Sequence, residues 1–100
     1  MNENTISGYA KITNEKFRCM SFLIVLKGSH IYYFPKINEK KYLFFTDVRD
    51  FRIKLTSFDK FCLLNENKKN FININLEEHD KFFLWKKFLI QIINRTDRKI

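Results

Sequence analysis

Over the first two thirds of the chain, short runs rich in β-branched and aromatic residues alternate with polar breaks at the roughly eight-to-twelve-residue spacing of an all-β domain. The runs predict seven strands, at 6–12, 20–27, 30–34, 41–45, 51–55, 60–64 and 71–74. Lys27-Gly28-Ser29 is short enough for a tight hairpin, whereas 35–40 and 65–70 read as longer charged loops. After residue 74 the period changes. Asn75 and Glu78 have the form of a capping box, which predicts a helix starting at about Leu76 and running to about Asn94. Within it Phe82, Trp85, Leu89 and Ile92 recur at helical spacing with Phe88 beside them, so one broad apolar stripe faces a partner surface. Glu77 and Lys81 can pair one turn apart, and Arg95 and Arg98 follow near the helix's negative end. An open barrel end exposes apolar interior, and an amphipathic helix laid across it is a natural plug, with Trp85 as its largest anchor. The expected fold is mainly β: a seven-stranded antiparallel barrel or sandwich capped by one C-terminal α-helix.

One hundred residues suit a single domain, here expected over 6–94, with a disordered leader at 1–5 and a basic tail at 95–100. Two Gly and one Pro leave most turns to Asn, Asp, Ser and Lys. The net charge of +8 points to an anionic partner. No run approaches the roughly 18 apolar residues of a membrane span. Met1-Asn2-Glu3-Asn4 has neither a signal-peptide core nor a Gly at position 2 for myristoylation, so an acyl anchor would have to lie outside this chain. Cys19 and Cys62 lack ligand-type spacing and read as reduced thiols in a cytoplasmic setting; with His30 and His79 isolated, neither a metal nor a cofactor is expected.

Catalysis has little support. There is no Gly-rich phosphate loop and no Ser/His/Asp or Cys/His set that the expected fold would bring together, and Glu77, Glu78 and Asp80 suit the positive end of a helix. Basic charge interleaved with aromatics raises nucleic-acid binding, but the chain has no aromatic RNA-recognition motif and no zinc-finger spacing, so nucleic acid is not the expected partner.

Ser7-Gly8-Tyr9-Ala10-Lys11, then Val25-Leu26 and Ile31-Tyr32-Tyr33-Phe34 around the hairpin, and finally a helix with the single Trp85, occur in the order and spacing of a known family. The chain resembles the pleckstrin-homology domains over roughly 7–94. The resemblance implies a binding module in which the turns after strands one, three and six cluster at one barrel end and their basic residues receive lipid phosphates. Those turns place Lys11, Lys16, Arg18, Lys36, Lys40, Lys41, Lys68 and Lys69 at the site, against Glu15, Glu39 and Glu66, which accounts for five of the eight excess positive charges. The Asn-, Lys-, Ile- and Phe-rich composition is similar to that of A+T-rich parasite genomes. That extends the resemblance to the acylated pleckstrin-homology proteins of apicomplexan parasites, which implies a phosphatidic acid or phosphoinositide headgroup and peripheral attachment to a membrane.

Lys11 with Lys16-Phe17-Arg18 matches the family's polyphosphate-binding pattern in residue type but not in register. The pattern puts its Arg about four residues before the Leu that ends strand two, whereas Arg18 lies eight before Leu26 and Phe22 takes the expected place. Four residues of strand is about 13 Å, too far for one pocket. Magnitude agrees. At about 1 kcal/mol per cation near an anionic leaflet, a net five charges give about 5 kcal/mol, short of the roughly 8 kcal/mol of micromolar binding. A second contact is needed. The alternative to a lipid-binding module is a protein-interaction adaptor, for which Phe83 and Ile90, on the helix flank away from Trp85 and beside Lys86 and Lys87, are the candidate surface.

Overall fold

A computed structural model describes residues 5–15, 19–36, 39–57, 60–65 and 67–97. Strands β1 (Thr5–Asn14), β2 (Met20–Lys27), β3 (His30–Pro35), β4 (Phe44–Asp47), β5 (Arg52–Ser57), β6 (Lys60–Asn65) and β7 (Asn70–Leu76) precede a single helix, α1 (Phe82–Asp97). Short 3-10 turns at Val48–Asp50 and His79–Lys81 lead into β5 and α1. All pairings are antiparallel, in the order β4-β3-β2-β1-β7-β6-β5. The sheet curls on β1, which pairs with β2 from Thr5 to Ile12 and with β7 from Ala10 to Asn14.

Alternation places Ile6, Ala10 and Ile12 of β1, Phe22, Ile24 and Leu26 of β2, and Ile31 and Tyr33 of β3 on the concave face. Phe61 and Leu63 of β6 and Ile72, Ile74 and Leu76 of β7 meet them in one core. Burial pushes the Tyr33 phenol up to about 12, and the Thr46 hydroxyl donates to it at 3.1 Å. Lys27 pairs with His30 across a turn in which Gly28 has φ +63°, a left-handed value that glycine adopts without strain.

The helix closes the barrel with Phe82, Trp85, Leu89 and Ile93, all buried, while Phe88 and Ile92 pack at the flank. Trp85 is fully buried and lies over Gly8, where an added Cβ would sit 3.7 Å from the indole Nε1. That N–H finds no acceptor among the described residues.

Four expectations need correction: the capping box, the start and the end of the helix, and the fourth strand. Asn75 is a strand residue, paired with Lys11 on one side and Lys60 on the other, so the ladder continues to Leu76 and the expected capping box does not form. The Glu77 N–H bonds to the Tyr9 carbonyl, and the helix proper waits until Phe82; within it Ile93, four residues after Leu89, is buried, with Ile92 packed beside it at the flank. The helix also runs to Asp97, into the segment expected as a tail. The fourth strand is Phe44–Asp47 and not 41–45, because Thr46 turns inward to bond Tyr33 while Lys41 and Tyr42 remain in the preceding loop.

Trp85→Ala should cost about 3–5 kcal/mol through the cavity it leaves. Trp85→Phe, which keeps an aromatic ring and removes the unpaired donor, should cost clearly less; urea unfolding midpoints of the two variants check the order.

Asp47 caps the Val48–Asp50 turn by accepting from the Arg49 backbone N–H at 3.0 Å, and it also binds the Arg49 guanidinium at 2.7 Å. The Arg49 hydrogen bond holds the Asp47 carboxyl below its ordinary value. A depressed folded-state value means that the stabilisation is complete at neutral pH and is lost as pH falls through the carboxylate range. Asp47→Ala should therefore cost about 1 kcal/mol at pH 7, and the gap to wild type should narrow below about pH 4 in thermal unfolding.

Candidate functional site

Register decides which loops meet. Ile12 pairs with Met20, Phe22 with Pro35, Asn14 with Ile72 and Asn65 with Asn70, so the β1–β2, β3–β4 and β6–β7 connections all leave the sheet at one end. Lys36, Lys40, Lys41, Lys68 and Lys69 are exposed there. Asn65 shapes the last of these turns: its Oδ1 accepts from the Lys68 N–H at 3.1 Å, and Lys69 takes a left-handed φ of 55°. Glu15 ties the first loop to β7 by accepting from the Phe71 N–H at 3.4 Å. Lys16, Arg18 and Glu66 lie outside the described residues.

The cations at this end differ in what they already touch. Lys36 Nζ sits 3.4 Å from Glu77 Oε2 and 5.0 Å from the centre of the Tyr9 ring. Tyr9 in turn donates to Glu39 at 2.9 Å, and that hydrogen bond raises its phenol above the ordinary value. These contacts hold Lys36 and Glu39 against Tyr9 of β1, so Lys36 already has a carboxylate and a ring as neighbours. Lys11 belongs to a different surface. It lines a groove of about 350 Å³ on the outer face with Thr13, Cys19, Lys60, Asn73 and Asn75. Asn75 pairs with both Lys11 and Lys60, which places two cations on either side of an amide, with no carboxylate among the described residues of the lining. The sequence reading missed Lys60; its outward position at the start of β6 follows from the alternation that buries Phe61.

The larger cavity, about 540 Å³, lies between β4 and the β6–β7 turn. Among the described residues its wall includes Phe44, Phe51 and Phe71, with Glu15, Asp47, Asp50 and Lys68 as the charged groups. The charge of the described lining is more negative than positive.

The fold has close structural counterparts. The chain superposes on the pleckstrin homology domain of ArhGAP27 with a TM-score of 0.69 at 14% identity, covering 90% of this chain and 99% of that one. It superposes on the human ARAP2 N-terminal PH domain with a TM-score of 0.70 at 14% identity, covering 91% and 80%. The chain has the pleckstrin-homology fold. An activated truncation of Vav1 gives a TM-score of 0.76 at 15% identity over 88% of this chain, which spans only 25% of the Vav1 structure. No protein-family model and no curated protein matches the sequence.

On the helix of this PH fold, Phe83 is 63% exposed, whereas Ile90 is half-buried. The residue that joins Phe83 at the surface is Leu84, which the sequence reading did not single out. No group of three or more His, Cys, Asp or Glu side chains among the described residues is arranged to hold a metal ion, and no described helix is long and apolar enough to cross a membrane.

Proposed function

We propose that this PH-fold domain is a membrane-recruitment module that binds anionic phospholipid at the cytoplasmic surface of a membrane, as a peripheral and non-catalytic attachment. The observation that carries the reading is the gathering of exposed Lys40, Lys41, Lys68 and Lys69 at one barrel end, with the Lys11–Lys60 groove on the adjoining outer face. Such a surface attracts phosphate by summed charge and not by a deep pocket. Phosphatidic acid is therefore the first lipid proposed, because a small exposed phosphomonoester needs adjacent cations and no cavity, with phosphoinositides second. The fit is to the leaflet as much as to one molecule.

Co-sedimentation with neutral vesicles doped separately with phosphatidic acid, phosphatidylserine and phosphoinositides tests the reading. The wild-type chain should pellet with anionic vesicles and be released by salt, with phosphatidic acid favoured. Lys40→Glu/Lys41→Glu and Lys68→Glu/Lys69→Glu should each weaken binding at least about tenfold, and Lys11→Glu/Lys60→Glu should do so if the groove contributes. Absence of binding to every vesicle at low salt would sink it. The exposure of Phe83 and Leu84 favours a second reading, a protein adaptor working through the helix flank; Phe83→Asp would then abolish partner binding and leave vesicle binding unchanged.

A further inference from the structure

Strands β2 and β3 are apolar on both faces. Phe22, Ile24 and Leu26 fill the core, while Leu23 and Val25 point the other way; in β3, Ile31 and Tyr33 are buried, while Tyr32 and Phe34 are on the outside. Strands of this kind are usually covered on both sides. Here the outer face continues into β4, the edge of the sheet, where Val25 pairs with Tyr32 and Tyr32 with Phe45. Tyr42 packs edge-on against Tyr32 at 5.0 Å and against Phe34 at 6.1 Å, and Phe45 lies 6.1 Å from Tyr32. Tyr42, Leu43 and Phe45 are nonetheless 49%, 61% and 53% exposed. The result is a rigid aromatic cluster open to water.

Two features on the molecule say what meets it. Lys40 and Lys41 directly precede Tyr42 and Leu43, so the cluster begins at the loop end where the exposed lysines gather. A second copy of the chain would bring one charge of +8 against another, with Lys40 and Lys41 facing their own kind. An anionic surface with an apolar layer beneath it suits both halves: lysines at the phosphates, Leu43 and Phe45 in the acyl boundary, and the Tyr42 ring with its hydroxyl between wet and dry. It would also close the shortfall of about a hundredfold that charge alone leaves before micromolar affinity.

We propose that Tyr42, Leu43 and Phe45 form an apolar wedge that enters the headgroup–acyl boundary of an anionic bilayer while Lys40 and Lys41 hold the phosphates above it. This rests on the membrane reading given above. It differs from that reading in requiring contact with the hydrocarbon, which salt does not screen.

The test compares wild type with Tyr42→Ser/Leu43→Ser on phosphatidic acid vesicles at physiological salt, with far-UV circular dichroism as the check on folding. The double variant should bind at least about tenfold more weakly and keep its salt-sensitive binding at low ionic strength. In a Leu43→Trp chain, the introduced indole should shift to the blue on vesicles and be quenched by lipids brominated in the acyl chain, while the wild-type Trp85 signal is not. Equal binding of wild type and double variant, with no quenching of the introduced indole, would overturn the wedge and leave the charge-based reading standing. Failure of the wild type to bind any vesicle overturns both. A wild-type dimer in analytical ultracentrifugation that the double variant converts to monomer would assign the face to a second copy and likewise overturn the proposal.

Discussion

β1 carries two ladders at once, and the remaining geometry follows from where the second begins. From Thr5 to Tyr9 it pairs only with β2, and from Ala10 onward it also takes β7. The Glu77 N–H bonded to the Tyr9 carbonyl marks the point at which the chain leaves that second ladder. Beyond it the freed half of β1 is available to the helix, whose Trp85 indole lies over Gly8. Closure of the barrel and docking of its plug thus depend on one strand's change of neighbours. The same register sends three loops to a common end.

At that end, charge and exposure have to be separated residue by residue. Lys36 is drawn onto Glu77 and Tyr9, Lys11 faces the outer groove with Lys60, and the cavity beside β4 includes three carboxylates and four phenyl rings in its described lining. Lysine totals taken from loop boundaries merge these situations. Once they are distinguished, the described lysines fall on separate surfaces and not in one enclosed pocket.

Much of the fold was legible because alternation and turn residues are local signals. β2 starts and ends where its apolar run does, and Gly28 lies in the tight hairpin expected of it. The helix start was misread because Asn75 and Glu78 suit a cap, while the deciding competitor, β1 and β6 on either side of Asn75, is distant in sequence. Asn75 also sits between Lys11 and Lys60, a pairing of lysines separated by about half of the chain that no spacing rule reveals. The outer aromatic cluster was hidden for a different reason. Met20–Lys27 and His30–Pro35 announce apolar residues on both faces, but which face stays open depends on where the helix is laid.

The β4 edge and its uncovered rings give the positive charge a second physical role. Edge strands bearing apolar side chains are templates for pairing between molecules. With pI near 9.6 and a charge of +8, copies of this domain repel one another at neutral pH before their edges can meet. The lysines therefore act as colloidal spacers, and an anionic surface that neutralised them would also remove the barrier to crowding there. Lateral clustering on a membrane would be a consequence of the same charge that keeps the domain dispersed in water.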